Sequence, residues 1–428
     1  MPTLHIIGAG VSGLACATRA AMSGLDVALY EAAGHAGGRA RSFHDESLGC
    51  TIDNGNHLLL GANEATRAYL SNIDGGNMIR EISPAAFPFI NLKTDERWRV
   101  RPGSGLVPTW IFSADRRIPG TRPLEYVRQM FSLSRADKSD TVANAVGTAS
   151  PLFGLLWQPL TRAALNTDAT EASARLLWTV LRETFAKGEK ACRPWFFHKG
   201  LTPALVRPAL NFLGDRGARI KFNARLRGIR WTDHRVTSLY FPEGMLRVDR
   251  NDAVVLALPP DACNDIWPEA KAPIEARPIV NAHFRVDNAP KLPWDMPFVG
   301  LIGTETQWVF VRDNIVSLTI SAADALSDRP NWEIANVLWG EVSKVLGNSY
   351  GRLPAWRIIK ERRATFAQTP DQVASRPGSS TTVRNLFLAG DWTDTGLPAT
   401  IEGSVRSGFS AASLAFDAVR NAGDGGPE

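Results

Sequence analysis

The chain has 428 residues, enough for two or three domains at roughly 100 to 200 residues each. Its 44% hydrophobic and 21% charged residues exclude a disordered or fibrous protein. A net charge of +5, from 48 Lys and Arg against 43 Asp and Glu, is too diffuse by itself to mark a nucleic-acid-binding face. Aromatic usage stands out, with 13 Trp and 19 Phe against 5 Tyr. So many rings require a large core or an apolar binding cavity. Cys16, Cys50, Cys192 and Cys263 lack C-x-x-C spacing, which predicts neither a zinc site nor a disulfide framework and fits a reducing cytoplasm.

Leu4, Ile6 and Ile7 lead into Gly8-Ala9-Gly10-Val11-Ser12-Gly13, Leu14 to Met22 is rich in small apolar residues, and Val27 to Tyr30 is a β-like run ending at Glu31. The order predicted is strand, tight turn, helix, strand. No positive segment precedes this apolar start and three glycines interrupt it, so export is not expected. Cys50-Thr51-Ile52 is β-like and runs into Asp53-Asn54-Gly55-Asn56-His57. From Arg97 to Arg135 there are eight arginines against Asp115 and Glu125, interleaved with Trp98, Trp110, Ile111 and Phe112. The uncharged stretch Thr141 to Thr161 approaches the ~20 residues of a membrane span. Asn144, Ser150, Pro151, Gln158 and Pro159 argue against one. Helical spacing dominates from about Ser139 to Phe212, as in Ala172, Arg175, Leu176, Trp178, Thr179, Leu181 and Arg182. Strand signals return at Ala218 to Phe222, Asp252 to Leu258, Ile315 to Ile320 and Asn385 to Asp391. Ile401 to Val419 reads as a helix of small residues, and the Gly-rich tail from Asn421 to Glu428 is expected to be disordered.

The triplet Gly8, Gly10 and Gly13 follows a strand and opens a helix, with the acid Glu31 placed for ribose hydroxyls. That is the dinucleotide fingerprint: a tight turn, a backbone the pyrophosphate can approach, and a close helix–strand contact. Gly37-Gly38-Arg39-Ala40-Arg41 adds flexible backbone and guanidinium donors that suit a pyrophosphate, which a simple NAD unit does not need. Asp53-Asn54-Gly55 reads either as part of a flavin site or as an ordinary Asn-Gly turn. At the far end Gly390-Asp391 closes a strand and Thr400-Ile401 opens a helix. These offer a carboxylate for a ribityl hydroxyl and helix-start amides for a flavin carbonyl. No second fingerprint exists for a nicotinamide cofactor, since Gly103-Ser104-Gly105 meets Pro108 where a third glycine would fall.

Together these segments resemble the flavin amine oxidase and phytoene desaturase superfamily, in which they surround FAD. Longer stretches are similar to one family within it: Ile52 to Leu60, Trp157 to Leu160, Ala164 to Thr167, Ala172 to Trp178, Ile279 to Phe284 and Gly396 to Gly403. That family is the squalene-associated FAD-dependent desaturases, the hydroxysqualene dehydroxylases of bacterial hopanoid and squalene synthesis. The resemblance covers about residues 3 to 415. It implies an α/β fold with a Rossmann-like, GR2-type FAD-binding domain built from discontinuous segments, plus a substrate domain of mixed β-sheet and helices. The expected FAD-binding segments are 1–80, 213–265 and 385–420. A largely helical substrate or membrane-facing segment is expected at 81–212, substrate-domain sheet and helices at 266–384, and the tail at 421–428.

The activity implied is reductive removal of the hydroxyl of hydroxysqualene by ionisation of an allylic alcohol and hydride transfer from reduced flavin. The cofactor is FAD, bound by Gly8, Gly10, Gly13, Glu31, Gly38, Arg39, Asn54, Gly55, Gly390, Asp391, Thr400 and Ile401. Candidates for proton donation are His57, whose side chain ordinarily titrates near neutrality, and Asp53, with Glu402 behind them. Asp53 also reads as a structural turn carboxylate and Glu402 as a helix-start charge. Some amine oxidases carry a lysine facing flavin N5, and Asn281 aligns with it here, which implies that peroxide-forming amine oxidation is not the task. A C30 substrate calls for a long apolar tunnel, with Phe153, Leu155, Leu156, Trp157, Trp178, Trp195, Phe196 and Phe197 as candidate walls or as helix core. The arginine-rich strip with Trp98, Trp110 and Phe112 reads as a dock for anionic lipid or as a solvated basic face. The protein is expected in the cytoplasm, with peripheral contact on the inner face of the cytoplasmic membrane and no nucleic-acid partner. Competing readings are a carotenoid-type desaturase and a flavin-free prenyl-binding protein of the GDP-dissociation-inhibitor type.

Overall fold

The apolar run at the start of the chain forms β1 (Thr3–Ile7), and it lies at the centre of a sheet, buried on both faces, with Leu4 and Ile6 on one and Ile7 beside His5, paired with Asp252, on the other. The computed structural model describes residues 2–103, 105, 109–347 and 351–424. Ser104 and Pro108, named above beside a failed second fingerprint, lie outside the described residues, as do residues 425–428.

After the glycine turn comes α1 (Val11–Met22), then β2 (Asp26–Tyr30) beside β1 in parallel register. The sheet is completed from distant parts of the chain: Arg219–Lys221 beyond β2, Ala253–Leu256 on the other flank of β1, and Leu386–Leu388 outside that. All pairings are parallel, so the strands need helical crossovers and covered faces. One face is covered by α1 and the C-terminal helix Ile401–Asp424, whose small residues allow close approach. A Cβ on Gly408 would lie 2.2 Å from the Ser12 carbonyl oxygen, and one on Gly13 would lie 1.9 Å from that of Gly8. The other face packs on a three-stranded antiparallel sheet through Val236, Leu239, Val254 and Leu256. The terminal helix runs through Asp424, so Asn421 to Asp424 continue it where the sequence reading expected disorder.

A second, seven-stranded sheet has the order 355–366, 276–285, 315–321, 308–312, 298–302, 87–91 and 96–100. Only the contact between Phe298–Ile302 and Phe87–Asn91 is parallel. Residues 87–100, assigned from sequence to a largely helical segment, are therefore strands of this mixed sheet. Helix Asn331–Leu346 packs on it, with Trp339 against Phe284 at 5.0 Å. A helical layer over residues 109–185 closes a further core around Trp98, Trp110, Tyr126 and Trp157. The uncharged stretch 141–161 is broken into Val142–Val146, Phe153–Trp157 and the start of Gln158–Leu165. Among the described residues no helix is long and apolar enough to cross a membrane. All four cysteines are free thiols, Cys16, Cys192 and Cys263 being buried.

Candidate active site

The glycine turn between β1 and α1 presents backbone and nothing else. A Cβ on Gly10 would meet no atom within 4 Å, and α1 has no side-chain cap on its first-turn amides. Unpaired helix-start N–H groups facing open space form a cradle for phosphate. Gly37 donates its amide to the Ala9 carbonyl at 2.8 Å, and Gly38 packs on Gly10, so the second glycine pair forms a wall of the same cradle. Glu31 accepts from the Ala9 amide through Oε2 and from the Ala33 amide through Oε1, both at 2.8 Å. Each oxygen keeps a lone pair for a ribose hydroxyl. Arg39 bridges the two ends of the chain: its Nη2 is 2.7 Å from Asp391 Oδ1, and it also donates to the Ala364 carbonyl. These residues fit FAD, with room over Gly10 for the pyrophosphate and polar groups at both ends.

The C-terminal lobe of the cradle is stiffened from behind. Ser407 Oγ accepts the Gly390 amide at 2.7 Å, and a Cβ on Gly390 would strike the Trp392 ring at 2.4 Å. Thr400 caps the terminal helix by accepting the Gly403 amide at 3.1 Å, and Ile401 is buried in the core beneath it. Buried Arg376 holds the connecting loop through the Leu397 carbonyl at 2.7 Å and Asp394 at 3.1 Å. Gln368 holds it through the Ala399 amide at 3.0 Å.

From Arg39 the structure leads to the second half of the site. Asn54 donates to the Arg39 carbonyl at 3.3 Å and thereby ties the Asp53–His57 segment to the cradle. Asn281 lies against this segment, donating to the Asn54 carbonyl at 3.3 Å and accepting from Thr319 at 2.8 Å. A Cβ on Gly55 would come within 3.2 Å of its amide nitrogen, so the turn is glycine because Asn281 is there. Beyond it lies a small, partly open cavity. Its lining is polar at Asp53, Asn56, His57, Arg312 and Ser317 and apolar at Phe196, Phe197, Leu201 and Phe310.

Asp53 is tied down on both oxygens. Oδ1 accepts from Ser42 at 2.5 Å and from the Leu201 amide at 3.0 Å, while Oδ2 pairs with Arg312 at 2.6 Å. A carboxylate so engaged is an anchor for its surroundings and a poor proton carrier. His57 differs from the sequence expectation in its charge, since burial pushes its pKa down to about 4 and leaves the ring neutral at pH 7. Glu402 lies elsewhere: it accepts from the Ala65 and Thr66 amides at 3.1 and 2.8 Å, from Thr66 Oγ1, and from Arg406 at 3.0 Å. It therefore satisfies the first turn of helix Glu64–Asn72.

Sequence reading missed Arg312, Ser317 and His283. His283 is buried behind Ser317, with Nδ1 2.8 Å from its hydroxyl oxygen, and burial lowers its pKa to about 4. No local motif surrounds these three; strand register alone brings them to Asp53. Of the expected tunnel walls, Phe196 and Phe197 reach the cavity. Trp157 is core, its indole donating to Gln129 at 2.7 Å. Phe153, Leu155, Leu156 and Trp178 pack on that same core, and Trp195 packs on the core beneath α1. The cavity is smaller than a C30 chain, and the expected tunnel is not open along these residues. Trp98 and Trp110 are also core, and of the three rings named for the arginine-rich strip Phe112 is exposed.

Comparison with known proteins accords with this architecture. The family model for flavin containing amine oxidoreductase matches residues 11–415. Hydroxysqualene dehydroxylase of Rhodopseudomonas palustris is 46% identical over 98% of this chain and 99% of its own. The enzyme of that name from Sinorhizobium fredii is 44% identical over 96% and 98%. By contrast, 15-cis-phytoene desaturase of Synechococcus elongatus is 22% identical over 94% and 93%. Among solved structures, cyclohexylamine oxidase from Brevibacterium oxydans shares the fold with a TM-score of 0.69 at 18% identity, covering 97% of this chain and 99% of that one. The chain is an FAD-dependent oxidoreductase that belongs to the flavin-containing amine oxidoreductase family and, within it, to the hydroxysqualene dehydroxylases.

Proposed function

We propose that the protein removes the hydroxyl of hydroxysqualene to give squalene. The observation that carries this reading is the cavity beside the flavin cradle, whose lining combines Asp53, His57, Arg312 and Ser317 for a hydroxyl with Phe196, Phe197, Leu201 and Phe310 for a hydrocarbon. The overall change converts alcohol and reduced FAD into hydrocarbon, water and oxidised FAD. FAD, held by Gly10, Gly38, Arg39, Glu31, Asp391 and the Thr400–Ile401 helix start, supplies the hydride when bound and reduced.

The residues of this chain supply the rest. His57 delivers a proton from a ring nitrogen to the leaving oxygen, so that water departs. With a pKa of about 4 its protonated form is a strong acid, present at about one part in a thousand at pH 7. The faces of Phe196, Phe197 and Phe310 are the nearest electron-rich surfaces for the allylic cation left behind. Asp53, paired with Arg312, fixes the polar part of the cavity lining. Contact with an anionic membrane surface belongs to the same proposal, because a C30 hydrocarbon resides in bilayers and not in water.

The decisive test is anaerobic incubation of the chemically reduced holoprotein with hydroxysqualene, followed by product identification. Squalene formed in proportion to flavin oxidised supports the reading. Unchanged substrate, or a more unsaturated product made only by oxidised flavin, refutes it and favours a desaturase.

A further inference from the structure

Helix Pro123–Ser134 has two apolar faces, and only one is covered. Tyr126, Gln129 and Leu133 point into the core, as their burial shows. On the opposite side, at spacings of three and four residues, Leu124 is 76% exposed, Val127 44% and Phe131 55%. Phe112 adds a fourth exposed apolar side chain at 65%. Large apolar side chains scattered singly on a surface need no explanation, but four gathered around one helix do.

The charge around this face is predominantly positive. Arg128 and Arg135 fall on the same side of the helix as Leu124 and Phe131, and the Arg135 guanidinium lies 4.1 Å over the Phe131 ring. Among the described residues, Arg116, Arg128 and Arg135 have no ion-pair partner. Of the nearby acids, Asp115 pairs with Arg101 and Glu125 accepts from the Arg122 amide at 3.4 Å. An apolar stripe rimmed by unpaired guanidinium groups complements a bilayer carrying anionic headgroups.

The buried side of the same helix leads to the cavity. Tyr126 meets Trp110 at 6.1 Å, Trp110 meets Phe185 at 6.3 Å, and Phe185 meets Phe87 at 6.4 Å. Phe87 meets Phe298 at 6.4 Å, and Phe298 meets Phe310, a cavity wall, at 6.1 Å. Aromatic rings thus run without a break from the exposed helix to the polar pocket.

From these observations, and resting on the reading of a bilayer-borne isoprenoid substrate given above, we infer that the outer face of helix Pro123–Ser134 with Phe112 docks the protein on an anionic bilayer, at the outer end of an aromatic row that guides the hydrocarbon to the cavity. Leu124, Val127 and Phe131 enter the headgroup boundary, and Arg128 and Arg135 contact lipid phosphates.

Flotation of the full-length holoprotein with substrate-free vesicles of phosphatidylglycerol and phosphatidylcholine in equal parts tests docking independently of catalysis. Wild type should float, and the triple variant Leu124→Ser, Val127→Ser, Phe131→Ser should partition about a hundredfold less. The double variant Arg128→Gln, Arg135→Gln should lose about tenfold or more on these vesicles and little on pure phosphatidylcholine. Both variants should keep full flavin content and full turnover of detergent-presented substrate, losing turnover only on vesicle-borne substrate. Wild type that fails to float, or a triple variant that floats equally well, overturns the docking surface. A wild-type dimer that the triple variant dissolves, with no flotation, overturns it also and assigns the face to a second copy of the chain.

Discussion

Gly10 and Gly408 are both glycines at helix contacts with the nucleotide-binding sheet, and the structure assigns them opposite reasons. At Gly408 a Cβ would lie 2.2 Å from the Ser12 carbonyl oxygen and 2.9 Å from the Cys16 amide nitrogen. Both are backbone atoms of α1, so the Gly408→Ala variant must push two helices apart. Overpacking of this kind costs about 3 kcal/mol. With an unfolding entropy of roughly 2.1 cal/mol/K per residue, a chain of this length should lose about 3 °C in Tm. At Gly10 the backbone is at φ −69° and ψ 176°, which alanine adopts freely, and the added methyl meets nothing. Gly10→Ala apoprotein should therefore melt within about 1 °C of wild type. Its methyl group occupies the open space over the helix start that the cradle offers to the pyrophosphate. Losing one charge-assisted hydrogen bond, about 1.5 to 3 kcal/mol, should weaken FAD roughly 10- to 100-fold. Thermal melts of both apoproteins and fluorescence titration with FAD measure the two effects separately. Wild-type FAD affinity in Gly10→Ala would refute the placement of the phosphate, and a melt lowered as far as that of Gly408→Ala would refute the open space.

Three further outcomes follow from buried charge. Turnover by folded holoenzyme should rise about tenfold per unit as pH falls from about 8 toward 5.5, and His57→Gln should abolish that slope; a wild-type rate independent of pH would remove His57 from proton delivery. Stability should move the other way through His283, whose pKa is about 4 in the fold against about 6.5 unfolded. The unfolded chain takes up the proton first, so the contribution of His283 is full above about pH 6.5 and is lost as pH falls toward 4, about 3 kcal/mol in all. Denaturant titrations across that range should show a shallower loss in His283→Gln. Glu402→Gln should cost roughly 1 to 3 kcal/mol, because Arg406 loses its partner and helix Glu64–Asn72 loses a charge at its first turn. Its turnover per bound flavin should remain, and a stable, flavin-loaded but inactive Glu402→Gln variant would return the residue to the catalytic list.

The flavin cradle was readable from sequence because its logic is local. Gly8, Gly10 and Gly13 must follow one another at fixed spacing for a strand to turn into a helix over a phosphate, and Glu31 ends the next strand at a distance set by helix length. The reactive end was only half readable. Asp53 and His57 stand out beside an Asn-Gly turn, but Arg312, which fixes Asp53, lies 259 positions further along and is brought there by strand pairing. Glu402 looked reactive because it follows Gly396 to Ile401. Its partners at Ala65 and Thr66 are more than 330 positions away, and they make it the anchor of another helix. The lowered pKa of His57 follows from its burial in the fold, which no local pattern announces. Residues 87–100 misled for a similar reason. Their strand character is secured by pairing with Phe298–Ile302, while the run of arginines reads only as a basic surface.

The aromatic rings between helix Pro123–Ser134 and the cavity are packed against one another, and a closed row has a thermodynamic reason to be preferred over an open tunnel. An empty tunnel wide enough for a C30 chain would either hold water against apolar walls, at about 25 cal/mol per Å² of exposed surface, or stand as a void that forfeits dispersion contacts. Closure of the rings removes both costs in the free protein. Substrate then exchanges ring–ring contacts for ring–hydrocarbon contacts of similar strength, so the walls contribute little discrimination between chains that differ by a methylene, about 1 to 3 kcal/mol at most. Discrimination falls to the polar end, where Asp53, Arg312 and Ser317 are held by partners on three different elements and do not adapt. An analogue lacking the hydroxyl leaves the remaining hydrogen-bonding capacity of those groups unmet in a site from which the hydrocarbon has excluded water, and that loss is where discrimination arises. The same asymmetry favours release of product, since squalene differs from its precursor by the one group that the fixed end recognises.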